Sequence, residues 1–354
     1  MSQLKCFTIE GDPAQIGRGL GALAKPVFDA YMAQSSAWAR VSRWRDNPFV
    51  AALRREAAQR FPDHVAELDG MAEALGWPAE DIFLWNCRGE LAHRVPDGCT
   101  TLAAESPAGG VIAHNEDGDP YLKGECILVE VRPNGKPGFV SFYYPGSLPG
   151  HTFAASYAGL AQAINNIRIV RTLPGVPRMI LARAILDAHT LDEAGGILRD
   201  NPRASGFHHT IGCADDARVL SIEATPKRCS IVRANETRHD GTCIAGHANH
   251  LIHAGHEAEH QVVTDSSRDR QARLDVLLPT LSDVTDDESL LRVLRDRAEA
   301  GLPIYRDDPN DPDDENTLAT GILRTEPGGV TLRVHCAESV FERFLPRAAP
   351  RRPL

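Results

Sequence analysis

Hydrophobic and polar positions change their period along the chain. From residue 13 to 93, Ile16, Leu20, Leu23, Val27 and Tyr31 recur at three- and four-residue spacing, as do Val65, Leu68, Ala72 and Leu75. This predicts amphipathic helices laid against a core. From Cys99 onward the pattern becomes short β-rich runs at 110–114, 126–132, 138–144, 151–156 and 160–165, punctuated by PNGKPG and PGSLPG. Runs of that length between turn signals predict antiparallel strands. Helical spacing returns at 176–200, 266–281 and 286–299, between strand-like runs at 209–213, 218–223, 228–232 and 243–246. Two further strands, TGILRT and VTLRVHC, flank the turn EPGG near the end. Helices first, strands in the middle and helices among later strands predict a layered α+β architecture. No internal repeat stands out.

Composition narrows the function classes. With 354 residues, 42% hydrophobic and 24% charged, the chain has an ordinary globular make-up, which excludes disordered, collagen-like and coiled-coil readings. A net charge of −10 gives a phosphate backbone little to bind, so nucleic acid is excluded as a partner. The sequence contains no apolar run of about 18 residues, and MSQLKCFTIEGDP lacks a secretory core. The expectation is a cytoplasmic protein that does not enter membranes; self-association stays open. Eight dispersed cysteines without a CxxC pair predict small buried side chains rather than disulfides. The stretch RDDPNDPDDEN lacks the spacing of a calcium loop and reads as a solvated acidic loop.

Chemistry concentrates where the period changes. Asp97-Gly98-Cys99-Thr100-Thr101 stands at the junction of the helical and strand-rich halves, followed by the turn SPAGG and the run VIAHNED. A strand doubling back through that run returns Asp117 to the neighbourhood of Cys99, so a carboxylate can sit beside a thiol. Taken alone, Cys99 reads as a core cysteine entering a strand, since free cysteines are so often buried.

DGCTT followed by the Asn-x-Asp strand, together with GDPAQIGRGLG, GVIAHNEDGD, GLAQAINNIR, ASGFHHTIGCADDARVLSIEATP, HANH, DSSRDRQARL and CAESVFERF in that order, resembles the isopenicillin N acyltransferase family of cysteine-type N-terminal-nucleophile hydrolases. The resemblance implies a four-layer αββα fold and self-cleavage between Gly98 and Cys99. It divides the chain into a helical segment, 1–98, and a catalytic part, 99–354, which stay associated. The chemistry is reasonable: the Cys99 thiol attacks the unhindered Gly98 carbonyl, and hydrolysis frees an α-amine. With reference pKa values of about 7.7–8.0 for the amine and about 8.5 for the thiol, the new terminus can serve as base for its own side chain.

Other roles come with the resemblance. Thr101 hydrogen-bonds near the nucleophile, Asp117 orients the new ammonium, and Asn165, with Asn166 as the register alternative, supplies an amide near the oxyanion. His209 stands at or beside the place where relatives have an oxyanion-donating Asn, and an imidazole N–H takes over that role. His114, Asn115 and Ser266 are expected at the substrate; Ser266 and Ser267 also suit a helix N-cap. The implied substrate is a small amide, with penicillin-type amides, acyl-CoA thioesters and β-alanyl amines handled by relatives. No metal or organic cofactor is required. Two rival readings remain: a zinc hydrolase using His256, Glu257 and His260 of HEAEH, and an uncut, non-catalytic binding protein.

Overall fold

The helical spacing of the first ninety residues is realised in a computed structural model that describes residues 4–92, 96–106, 109–237, 244–281, 286–297, 302–337 and 339–348. The expectations at 93, 107–108, 243 and 298–299 lie outside the described residues. A strand the periodicity did not reveal, β1 (Cys6–Gly11), comes first. α1 (Pro13–Gln34) begins at Asp12, whose carboxylate accepts from Gln15 N at 2.8 Å while the Gln15 side chain accepts from Asp12 N at 2.9 Å. That reciprocal pair satisfies two otherwise orphaned N–H groups. α2 (Ser36–Val41), α3 (Pro48–Arg60), α4 (Pro62–Leu75), α5 (Ala79–Asn86) and α6 (Arg88–Leu91) follow. α1 and α4 cross at glycines: a Cβ on Gly17 would lie 1.9 Å from the Glu67 carbonyl oxygen, and one on Gly70 2.3 Å from that of Ala14.

The strand-rich part opens with β2 (Asp97–Ser106), β3 (Gly109–Gly118), β4 (Ile127–Pro133), β5 (Phe139–Tyr143), β6 (Phe153–Ser156) and β7 (Leu160–Ile169). The predicted helix at 176–200 is two helices, α7 (Arg178–Ile185) and α8 (Leu191–Asp200). Then come β8 (Gly206–Cys213), β9 (Asp216–Ala224), β10 (Cys229–Arg233), β11 (Ile244–His247) and β12 (Gln261–Val262). α9 (Asp265–Leu277), α10 (Asp287–Leu294), β13 (Asn316–Glu326), β14 (Gly329–Cys336) and β15 (Ser339–Pro346) complete the fold.

These strands form two sheets, one in the order β1-β4-β5-β6-β7-β8-β9-β10 with β12 beside β7, the other β11-β2-β3-β13-β14-β15. Alternation along β2 and β3 divides their apolar residues between two cores. Ala103 and Ile112 join Phe142, Phe153 and Leu323 in the main core. Leu102, Val111 and Ala113 pack with Leu274 of α9 and with Leu290 and Leu294 of α10. On the other sheet, Ile164 and Phe207 pack with Met179 and Ala182 of α7. The result is the expected four-layer αββα sandwich.

The described residues before Cys99 are built into this core. β1 extends the larger sheet by pairing parallel with β4. Arg183 of α7 grips Glu67 of α4 through Nε at 3.1 Å and NH2 at 2.8 Å. Burial pushes the Glu67 carboxyl up, but Arg183 and His64 together outweigh it and hold the group below the usual carboxylate range. Among the described residues no helix is long and apolar enough to cross a membrane.

Candidate active site

Cys99 sits at the start of β2, where the antiparallel partner across β3 is Glu116 and the next same-face pair is Thr101 with His114. All four side chains are buried between the sheets. The Cys99 thiol lies 3.7 Å from Glu116 Oε2, which is 3.0 Å from His114 Nε2, and the Tyr144 hydroxyl donates to Glu116 Oε1 at 2.8 Å. Thr101 Oγ1 is 2.8 Å from His114 Nδ1 and 2.7 Å from Asn165 Oδ1. The Asn165 amide nitrogen donates to the His247 carbonyl at 3.1 Å, so its oxygen faces Thr101. Thr101 must therefore donate to Asn165, His114 must donate from Nδ1 to Thr101, and His114 Nε2 is left with its lone pair towards Glu116. Burial drives the electrostatics here. It pushes the Cys99 thiol well up, with Glu116 reinforcing it, and pushes the Glu116 carboxyl well up. It holds His114 down at about 3. A neutral carboxyl donating to a neutral imidazole satisfies all these groups without placing a charge between the sheets.

The backbone on either side of the Gly98–Cys99 bond is held from several elements. The Cys99 N–H donates to Asn249 Oδ1 at 2.9 Å, and Arg270 of α9 donates to that same oxygen at 2.6 Å. Arg270 also donates to the Cys99 carbonyl and, at 2.9 Å, to the Thr100 hydroxyl. On the preceding side, Asp97 N donates to Glu315 Oε1 at 3.1 Å, and Asn166 Nδ2 donates to the Asp97 carbonyl at 3.1 Å. Glu315 leans on Gly98 closely enough that a Cβ there would lie 2.2 Å from Oε2, so any side chain at this position must displace the Glu315 carboxyl.

The predicted residues separate into two sets. Cys99, Thr101, His114 and Asn165 are brought together. Asp117, opposite Gly98 in register, is on the other face of β3. Its Oδ1 accepts from Thr317 at 2.6 Å, and its buried Oδ2 has no hydrogen-bond partner. Burial raises its carboxyl pKa against the nearby Arg270 and Arg306. Asn115 is tied up on that same face by Thr320 and the Leu294 carbonyl, at 2.7 Å each. Ser266 accepts from Arg270 Nε at 3.1 Å, and the cap of α9 is Thr264 rather than the serine pair.

His209 requires a correction. It pairs with Ile164 and turns towards Phe207, on the helix-covered side, with an unpartnered Nδ1. Its neighbour His208 pairs with Asn165, lies 3.0 Å from Asn165 Oδ1 and stacks on His247. The Asn165 nitrogen is engaged by His247, so Asn165 orients Thr101, while the register alternative Asn166 touches the main chain just before Cys99, at the Asp97 carbonyl. Sequence reasoning missed Glu116, His208, Asn249 and Arg270. Strand alternation could have found the first two; HANH and DSSRDR contained the others without a cue to their distance from Cys99.

Two loop readings change. HEAEH does not form a helix: His256 is buried against Glu223 at 3.5 Å and His260 is exposed, so the zinc pair does not assemble. The acidic stretch is not merely solvated. It wraps the buried guanidinium of Arg306, which donates to Asp311 through Nε at 2.9 Å and pairs with Glu315.

The family described as acyl-coenzyme A:6-aminopenicillanic acid acyl-transferase matches residues 104–338. The chain belongs to this family. The match begins five residues beyond Cys99, on the strand that carries it. The 40 kDa form of acyl-coenzyme A:6-aminopenicillanic-acid-acyltransferase from Emericella nidulans is 24% identical over 281 residues, 77% of this chain and 76% of that protein. Beta-alanyl-dopamine/carcinine hydrolase from Drosophila melanogaster is 28% identical over 160 residues, covering 40% of this chain. The match spans 41% of that relative's length. Two solved forms of conjugated bile acid hydrolase from Clostridium perfringens align at TM-scores of 0.43 and 0.45 and 10% and 11% identity, over 70% of this chain and 92% of theirs.

Proposed function

We propose that this acyltransferase-family chain is a cysteine N-terminal-nucleophile enzyme that cuts itself between Gly98 and Cys99 and then cleaves or transfers the acyl group of a small amide. The observation that carries the reading is the Cys99 thiol 3.7 Å from a buried carboxyl at a backbone position gripped from both sides.

In the first reaction the thiol proton passes to Glu116 Oε2 as Glu116 hands its own proton to His114 Nε2. The sulfur attacks the Gly98 carbonyl, the C–N bond to Cys99 breaks, and the amine takes up the proton. Water then hydrolyses the Gly98 thioester, releasing a carboxyl end and regenerating the thiol. Arg270 and Asn249 hold the Cys99 main chain throughout, as positioning groups. The freed α-amine becomes the base for later turnovers, and the unpartnered Asp117 Oδ2, opposite the vacated Gly98 position, receives its protonated form. The two pieces stay together through β1–β4 pairing and the Glu67–Arg183 pair.

Before the cut, the cleft lined by Thr101, His208, Ser221 and His247 has a volume of about 10 Å³, room for at most one water. Departure of residues before Cys99 opens space for a substrate. The test is a screen of amides that differ in acyl group, with and without an amine acceptor, using Cys99→Ala as control. Acyl release or transfer that disappears in the control supports the reading; activity that survives it removes Cys99 from the mechanism.

A further inference from the structure

We propose that the cluster around the nucleophile is also a binding site for a thiophilic divalent cation, above all zinc, held by Cys99 Sγ, His114 Nε2 and Glu116 Oε2. These three atoms lie within 4.8 Å of one another. Zinc bonds of about 2.0–2.3 Å at tetrahedral angles demand ligand–ligand edges of about 3.3–3.6 Å. The observed Sγ–Oε2 and Nε2–Oε2 separations are 3.7 Å and 3.0 Å, so these two edges need shifts of only a few tenths of an ångström, and the third edge, Sγ–Nε2, lies within 4.8 Å.

The surroundings already prepare each ligand. Thr101 fixes the His114 ring and leaves the Nε2 lone pair towards the other two groups. Tyr144 occupies Glu116 Oε1, leaving Oε2 for the ion. Such outer hydrogen bonds are what orient metal ligands elsewhere. Charge balances as well: loading releases the thiol proton and the carboxyl proton to solvent and admits one dication, so the net charge of the buried cluster does not change. Three protein ligands leave a fourth position for water. The HEAEH segment, which carries the formal zinc signature, brings no comparable set together.

A consequence follows that rests on the proposed self-cleavage. With its sulfur bonded to zinc, Cys99 cannot attack the Gly98 carbonyl, and the loaded precursor is held uncut.

The probe is cobalt(II), added to the full-length chain as it refolds from denaturant free of other metals, so that the buried site loads before the chain can cut, and read at equilibrium. Wild type is expected to bind one equivalent with a near-ultraviolet thiolate-to-cobalt band. Cys99→Ser loses the band. Thr101→Val, which removes only the hydroxyl that fixes the ring, weakens binding roughly ten- to a hundredfold. His256→Ala leaves both band and affinity unchanged. Absence of a band in wild type, or a full band in Cys99→Ser, overturns the site. In parallel, mass spectrometry follows cleavage with zinc or with chelator. Zinc is expected to stop cleavage and chelator to restore it; stoichiometric zinc that leaves the rate unchanged places the ion elsewhere and overturns the proposal. A chain that stays whole in chelator sinks the self-cleavage reading alone, and the cobalt band still decides the metal site.

Discussion

The two faces of the β2–β3 hairpin carry similar ionisable groups in different settings. Between the sheets, Cys99, Glu116 and His114 are deprived of water and of counter-charges within hydrogen-bond reach, and burial drives each towards its neutral form. On the outer face, burial also raises the Asp117 and Glu315 carboxyls, but there the guanidiniums of Arg270 and Arg306 stand near and oppose it. The lesson is a division of labour. A neutral face can pass protons to and from a thiol, and a charge-balanced face can hold a peptide main chain and later an ammonium.

The largest expected effect comes from breaking the inner face. Glu116→Gln removes the proton acceptor beside the thiol and should slow self-cleavage by about 10²–10⁴, the usual value of a positioned acid or base. Asp117→Asn keeps an acceptor for Thr317, so cleavage should continue while turnover of the cut enzyme falls. Equal effects of the two substitutions on cleavage, read by timed mass spectrometry, would erase the distinction between the faces.

A smaller effect is expected from pH. His114 and His209, held at about 3 by burial, stay neutral where the unfolded chain takes protons near pH 6.5. Groups with depressed folded pKa values add stability above the unfolded value and lose it as pH falls towards the folded one. The unfolding free energy from urea titration should therefore drop between about pH 6.5 and 3, by up to a few kcal/mol per ring at about 1.36 kcal/mol per pKa unit. Glu116 acts in the opposite sense, since its raised pKa adds stability at low pH that is lost as pH rises through the folded value. A His209→Gln chain with an unchanged acid limb would show that His209 is not the neutral buried ring the fold requires.

Smallest is the effect of crowding the proposed cleavage site. Gly98→Ala forces Glu315 aside and should lower stability by about 1–3 kcal/mol, the range for overpacking, with slower cleavage. Unchanged thermal unfolding would mean that Glu315 yields freely and does not brace the bond.

Much of this was legible in the sequence. The helical and strand periods located most elements, and the junction at Cys99 marked the site. β1 and β15 were not recognised: a strand at the edge of a sheet need not show the period of a two-sided core. At the site the error was one of register. Closing the hairpin symmetrically about SPAGG puts residue 117 opposite 99, whereas the observed partner is Glu116. One residue of slip moves every side chain to the other face, so the carboxyl beside the thiol is Glu116, and Asp117 stands on the opposite face. The same alternation separates His208 from His209. Asn249 and Arg270 lie 150 and 171 residues from Cys99 along the chain, and spacing cannot report a contact at that range.

The central claim is tested most directly by the intact mass of the purified wild-type chain after incubation without metal. The account predicts two pieces, residues 1–98 and 99–354, which co-purify under native conditions, with Cys99→Ala remaining whole. A wild-type chain that persists at full length would contradict it.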